Sequence, residues 1–185
     1  EIMPSLVGSE MCIRDSYCCA RALDKIPAVD KINTGGKFLV LNSLQDPGNI
    51  GTIIRAADAV GINGVYLCSC CDIYNPKVVR STMGSLFRVP FCDSAKYSSV
   101  IALLRASGIA TYASVVDKDA QSVKDVTFDG GAAIVIGNEG RGLAREDADL
   151  CDKKITIKMN GNINSLNAAS AASILLWEMT RREVR

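Results

Sequence analysis

Short runs of hydrophobic residues alternate along the chain with longer segments in which apolar residues recur at helical spacing. The runs typical of buried strands lie at residues 38–41, 65–68, 86–91, 110–116, 132–137 and 154–159. The segments with helical spacing lie at residues 49–60, 75–83, 98–106, 144–150 and 165–182. Strands separated by helices of about ten residues predict an α/β fold, with a mostly parallel sheet covered by helices on both faces.

Local signals predict where some of these elements begin and end. Asn49 is the predicted cap of the first helix, and Ser165 is the predicted cap of the last helix, with Asn167 in its first turn. Pro90 has no N–H to donate to a ladder, so the run around it is predicted to be an edge strand.

Composition excludes several classes of chemistry. The 185 residues carry 21 Lys and Arg against 20 Asp and Glu, so any nucleic-acid contact must come from local patches. The absence of histidine excludes Ser-His-Asp and Cys-His catalysis and histidine-ligated zinc. The eight cysteines have no second pair at zinc-ribbon spacing, so we expect no metal and a reducing, cytoplasmic location. No apolar run is long enough to cross a bilayer, so no membrane contact is expected.

The polar residues of interest follow predicted strands, where ligands bind in parallel sheets. The first such loop, residues 42–55, contains Asn49 and, within two helical turns, Arg55. Two interpretations of Arg55 remain open, because it is either a functional cation or a surface arginine paired with an acid such as Asp58.

The second loop, IGNEGRGL at residues 136–143, has three glycines in six residues, which lets a ligand approach the backbone closely. Its spacing differs from the dinucleotide-binding and P-loop motifs. Glu139 lies in its middle, either as a functional carboxylate or as one that caps the next helix or faces water. The third loop, residues 159–170, opens the last helix, whose N-terminus suits a carboxylate or phosphate.

Together and in this order, the loops resemble the motifs of the SpoU/TrmH family of the SPOUT superfamily, the S-adenosylmethionine-dependent RNA ribose 2′-O-methyltransferases. The matching segments are DPGNIGTIIRAADAVG (46–61), YNPKVVRSTMGSLFRVP (74–90), IVIGNEGRGL (134–143) and ITIKMNGNINSLNAASAASILLWE (155–178). The resemblance implies a C-terminal trefoil knot, and a homodimer with the first and last helices near the interface. It also implies S-adenosylmethionine as the cofactor.

The resemblance implies four cofactor-binding positions. By position, Gly137, Ile157, Met159 and Leu166 match residues that contact S-adenosylmethionine, largely through the backbone.

The catalytic group implied by the resemblance comprises Asn49, Arg55, Glu139, Ser165 and Asn167. Arg55 is expected to bind the target phosphate and to stabilise the alkoxide charge that develops on a ribose 2′-hydroxyl. The two asparagines and the serine are expected to orient Arg55 and the ribose, and the glutamate is expected to hold the loop.

Residues 37–185 are therefore predicted to form the methyltransferase domain. Residues 17–36 are predicted to be a linker or the remnant of a missing N-terminal RNA-binding domain. Residues 1–16 are predicted to be non-native, since part of them resembles translated sequencing-adapter sequence. The expected substrate is ribosomal RNA, and the alternatives are a transfer RNA methyltransferase and a non-catalytic RNA-binding factor of the same fold.

Overall fold

Strands and helices largely alternate from residue 37 onward, as the hydrophobic pattern predicts, except that no α-helix separates the strands between residues 110 and 136. The computed structural model describes residues 32–93, 95–160 and 165–181, so residues 1–16 and most of the predicted linker lie outside the description. The strands are β1 (Lys37–Asn42), β2 (Gly64–Cys68), β3 (Phe91–Cys92), β4 (Ala110–Ser114), β5 (Gln121–Ser122), β6 (Ala132–Ile136) and β7 (Lys153–Thr156). The helices are α1 (Pro47–Ala59), α2 (Pro76–Ser81), α3 (Tyr97–Ala106), α4 (Arg145–Asp149) and α5 (Ala168–Thr180).

The described strands form one sheet in the order β3-β2-β1-β6-β4-β7-β5. Every neighbouring pair in it is parallel, so the predicted parallel sheet is confirmed. Because β1 and β6 are neighbours, the loops that follow them leave the same edge of the sheet side by side. No helix among the described residues is both long and apolar enough to span a membrane.

The alternation of side chains along β1 builds a core on each face of the sheet. Leu39 and Leu41 pack into one cluster with apolar residues of α1, α2 and α5. Phe38 and Val40 pack into the other cluster, which α3 covers. All six residues of β1 are buried, as expected for a strand covered on both faces. The helices therefore lie on both faces, as predicted.

Two helices begin at residues other than those predicted. The side chain of Asp46 caps α1 by accepting a hydrogen bond from the Gly48 N–H at 2.6 Å, so Asn49 lies inside the first turn. The side chain of Asn167 caps α5, and Ser165 precedes the helix. The predictions were wrong because several capping residue types stand close together at both places, and the sequence does not rank them.

The predicted edge strand at residues 86–91 is mostly wrong. Residues Ser85–Phe87 form a 3-10 turn after Gly84, whose φ of +86° bends the chain away from an extended path. Only Phe91–Cys92 pairs with β2, directly after Pro90, whose carbonyl accepts from the Val65 N–H. β3 does lie at the edge of the sheet, which fits a strand that follows a proline.

Helices α1 and α2 approach closely at Gly51. A Cβ atom at this position would lie 2.0 Å from the Ser81 Oγ and 2.9 Å from the Val78 carbonyl oxygen. Because α1 carries Asn49 and Arg55, this contact also sets the position of the helix that presents them.

We expect Gly51→Ala to lower the free energy of unfolding by about 1–2 kcal/mol. Overpacking at a tight contact costs about 1–3 kcal/mol, whereas alanine in a helix interior recovers up to about 1 kcal/mol. Urea denaturation measures the difference. Gly35→Ala is the control, because a Cβ there has no neighbour closer than 4.0 Å. Equal stability of the two variants would contradict the packing argument.

Candidate functional site

The loops after β1 and β6 are tied together by Asn138. Its Nδ2 donates to the Ser43 carbonyl at 2.8 Å, which joins the two loops directly. Its Oδ1 accepts from the backbone N–H groups of Gly140 and Arg141, which holds the glycine-rich loop in a turn. Sequence reasoning missed Asn138, although an asparagine within a glycine-rich loop is itself a turn signal.

Glu139 is the acceptor on which the loop after β1 converges. Its Oε1 accepts from the Asp46 N–H at 2.9 Å and from the Gln45 N–H at 3.1 Å. The Asn49 Nδ2 lies 3.5 Å from the same oxygen. Burial opposes ionisation of this carboxyl, but the hydrogen bonds from the backbone and from Asn49 outweigh it and lower the pKa of Glu139. The carboxylate is therefore ionised at neutral pH and holds the loop after β1 in place. It does not cap the next helix, and water is not its only hydrogen-bonding partner.

A second link joins the loop after β1 to the last helix. The Asn167 Nδ2 donates to the Asn49 Oδ1 at 3.0 Å. The Asn167 Oδ1 in turn accepts from the backbone N–H groups of Ala169 and Ser170, the first turn of α5. Glu139, Asn49 and Asn167 thus form one chain of hydrogen bonds across the three loops.

Gly137 lies where the backbone of its own loop folds back on it. A Cβ atom there would lie 2.3 Å from the Leu143 nitrogen and 2.5 Å from the Gly142 carbonyl oxygen. Backbone atoms cannot yield as a flexible side chain can, so only glycine fits this position.

A cavity of about 680 Å³ opens beside this loop. Of the predicted site residues, Gly137, Glu139, Ser165 and Leu166 line it, and Ile157 and Met159 do not. Ile157 instead packs against the core that α1 and α5 cover. Besides Glu139, the lining has four charged side chains that the sequence did not single out, those of Asp117, Arg141, Arg145 and Lys154.

Arg55 stands apart from this network. It is exposed on α1, and it makes no hydrogen bond or ion pair with any residue of the described ranges. The open alternative, pairing with Asp58, is not formed, because Asp58 bonds to Arg88 and Ser85 instead. Arg55 is therefore a surface cation whose donors are available to a ligand.

The cysteines of the described residues are buried or half-buried thiols. Burial raises the pKa of Cys68 to about 12 and that of Cys70 to about 11, so both stay protonated at neutral pH. The Cys70 Sγ donates to the Leu41 carbonyl. Within residues 32–93, 95–160 and 165–181, no group of three or more metal-ligating side chains is close enough to hold a metal ion.

Comparison with known proteins identifies the family. The sequence model of the SpoU rRNA Methylase family matches residues 36–177, most of the chain. The chain belongs to the SpoU rRNA methylase family.

Two relatives match this chain over most of its length. It is 36% identical over 172 residues to the 23S rRNA (uridine(2479)-2′-O)-methyltransferase of Streptomyces viridochromogenes, with 88% of this chain and 60% of the relative covered. It is 33% identical over 151 residues to the 23S rRNA (guanosine(2553)-2′-O)-methyltransferase RlmP of Bacillus subtilis, with 81% and 60% covered. The chain thus spans about three fifths of the length of these relatives.

Solved structures show the same fold. The AdoMet-bound rRNA methyltransferase from Sinorhizobium meliloti matches with a TM-score of 0.78 and 32% identity, covering 86% of this chain and 61% of that one. The SpoU methyltransferase AviRb from Streptomyces viridochromogenes in complex with AdoMet matches with a TM-score of 0.75 and 36% identity, covering 88% and 64%.

We expect Glu139→Gln to flatten the acid dependence of the stability of this protein. Because the pKa of Glu139 is lowered on folding, its ionised form stabilises the native state above the ordinary value of about 4.5. That stability is lost as the pH falls through the lowered pKa. Urea denaturation at pH 7 and in the acid range should show a smaller pH effect in the variant, with lower stability at pH 7.

Glu146→Gln, which changes an exposed glutamate, is the control for loss of a carboxylate. An unchanged acid dependence in Glu139→Gln would mean that the hydrogen bonds to this carboxylate do not stabilise the fold.

Proposed function

We propose that this protein transfers a methyl group from S-adenosylmethionine to a ribose 2′-hydroxyl of RNA, with ribosomal RNA as the substrate. The observation that carries the proposal is the Glu139–Asn49–Asn167 chain of hydrogen bonds, which joins the three motif loops, two of which line one cavity. The 23S rRNA methyltransferases among the relatives support ribosomal RNA as the target.

The cavity fits a small cofactor. Its volume of about 680 Å³ lies within the range of small-molecule sites, roughly 300–1,000 Å³. Its wall combines backbone at Gly137, apolar side chains such as Leu143 and Leu166, and charged side chains of both signs. A zwitterionic nucleoside derivative needs this mixture of surfaces.

Gly137 and Leu166 line the cavity and would hold the cofactor there, whereas Ile157 and Met159 do not line it and are assigned no contact with the cofactor. Among the basic residues of the lining, Arg141 and Arg145 are suited to a carboxylate. When bound, S-adenosylmethionine supplies the methyl group of the reaction.

Arg55 is proposed to act on the RNA. A guanidinium group stays protonated at physiological pH, so it cannot accept the proton of a hydroxyl group, but it binds phosphate in a bidentate fashion. It also stabilises negative charge that develops on a nearby oxygen. The exposure of Arg55 and its lack of partners among the described residues suit both tasks.

The asparagines are proposed to set the shape of the site. Asn49 and Asn167 bond to each other, and neither bonds to Arg55. Their role is therefore to hold the start of α1, the helix that carries Arg55, against the start of α5. Ser165, which lines the cavity, contributes a hydroxyl donor for the ribose.

The family resemblance further supports a trefoil knot and a homodimer. The position of β6 between β1 and β4, with α5 returning to pack on α1, is consistent with a knotted C-terminal region. Next to α1, α5 exposes Ile174 and Trp177, which are 40% and 52% exposed. An aromatic and an aliphatic side chain on neighbouring turns are suited to burial against a second copy.

Two variants should separate methyl transfer from cofactor binding. Arg55→Ala is expected to lower methyl transfer to RNA at least about 100-fold, the usual effect of losing a charge-stabilising donor, while leaving S-adenosylmethionine affinity unchanged. Gly137→Ala is expected to abolish cofactor binding, because its Cβ would displace the loop backbone. Calorimetry and transfer of labelled methyl groups measure the two properties.

Full activity of Arg55→Ala would remove Arg55 from the mechanism. RNA binding without methylation by the wild-type protein would favour the non-catalytic alternative. Mapping of the modified nucleotide in ribosomal and transfer RNA would decide between these two substrates.

Trp177→Asp is expected to convert a dimer into a monomer. A carboxylate in an apolar interface is desolvated without a partner, which disfavours association strongly. Light scattering measures the mass. Leu103→Asp is the matched control, because Leu103 is 50% exposed on α3, which covers the opposite face of the sheet. A wild-type monomer, or a Trp177→Asp dimer, would contradict the proposal.

A further inference from the structure

We infer that Arg88 is a positioning residue for Arg55, because it binds Asp58 and so keeps that carboxylate from pairing with Arg55. The inference rests on the proposed function, in which Arg55 binds RNA. It concerns a residue that lies outside the network of the three loops.

Asp58 is held by two residues from the segment after α2. Its Oδ2 accepts from the Arg88 Nε at 2.8 Å, from the Arg88 Nη2 at 2.6 Å and from the Ser85 Oγ at 2.8 Å. The hydrogen bond from Arg88 is the main reason that the pKa of Asp58 lies below its usual value. Asp58 is therefore an ionised group whose charge is balanced by Arg88.

Without Arg88, Asp58 would have a second cation within reach. Asp58 follows Arg55 by three residues on α1, so the two side chains lie one turn apart on the same face of the helix. Opposite charges at this spacing attract. The competing pair does not form, and Arg55 stays without a partner in the described part of the chain.

The competition bears directly on RNA binding. A carboxylate and a phosphate occupy the same donors of a guanidinium group, often two at a time. An Arg55 paired with Asp58 would have to give up that pair before it could bind a phosphate. Arg88 and Ser85 remove this cost by holding Asp58 toward the neighbouring segment.

The test is a rescue experiment on the full chain. Arg88→Ala is expected to lower the kcat of methyl transfer about two- to fivefold, the range of an exposed ion pair, with S-adenosylmethionine affinity unchanged. Adding Asp58→Asn to this variant is expected to restore kcat to the wild-type level, because the competing charge is gone. Because neutralising an unpaired carboxylate would also restore a merely structural ion pair, the reactivity of Arg55 itself decides between the two roles.

Arg105→Ala is the matched control. Arg105 pairs with Asp152 at 2.9 Å, and its side chain is 55% exposed, against 58% for Arg88. This variant loses a comparable surface pair far from α1 and should keep full activity.

A second measurement does not depend on activity. An arginine-specific dicarbonyl reagent, with the Arg55 peptide followed by mass spectrometry, should modify Arg55 more slowly in Arg88→Ala than in the wild type. The double variant should regain the wild-type rate. If the wild type does not methylate RNA, the proposed function fails and this measurement alone decides the inference. Unchanged Arg55 reactivity in Arg88→Ala, or a double variant as impaired as Arg88→Ala, would overturn it.

Discussion

The structure of the site depends on one constraint, which is that the partly buried Glu139 carboxylate must receive hydrogen bonds. A partly buried anion is costly unless donors surround it. Here the donors come from the backbone at Gln45 and Asp46 and from the side chain of Asn49, so the charge pulls the loop after β1 onto the loop after β6. The parallel pairing of β1 with β6 makes this possible by bringing both loops to the same edge.

The sequence predicts the fold well where hydrophobic periodicity is strong. The strands at the centre of the sheet and the helices α1, α3 and α5 stand where the pattern places them, because burial determines that pattern. The hydrophobic pattern fails to predict an element where backbone conformation, rather than burial, determines the path of the chain. Gly84 turns the chain through a left-handed residue, and β5 has only two residues, too few to show any period. Both helix caps were misassigned because Asp46 and Asn167 compete with equally suitable neighbours.

The site was predictable as a set of loops but not as a set of contacts. The glycine-rich loop and the family resemblance indicate Glu139, Asn49 and Asn167, and the structure brings these three together. No pattern in one dimension shows that Asp58 prefers Arg88, 30 residues away, over Arg55, three residues away. Such a choice depends on the packing of α1 against the segment after α2. Likewise, Ile157 and Met159 match family positions, yet the first packs into the core and neither lines the cavity.

Asn167 has two tasks at once, since one end of its amide caps α5 and the other bonds to Asn49. The end of the helix and the order of the site are therefore coupled. During synthesis the chain emerges from its N-terminus, and α5 is the last helix of the described residues to appear. Until then Asn49 lacks the hydrogen bond from Asn167, so the loop after β1 cannot reach its final arrangement before the start of α5 has been made.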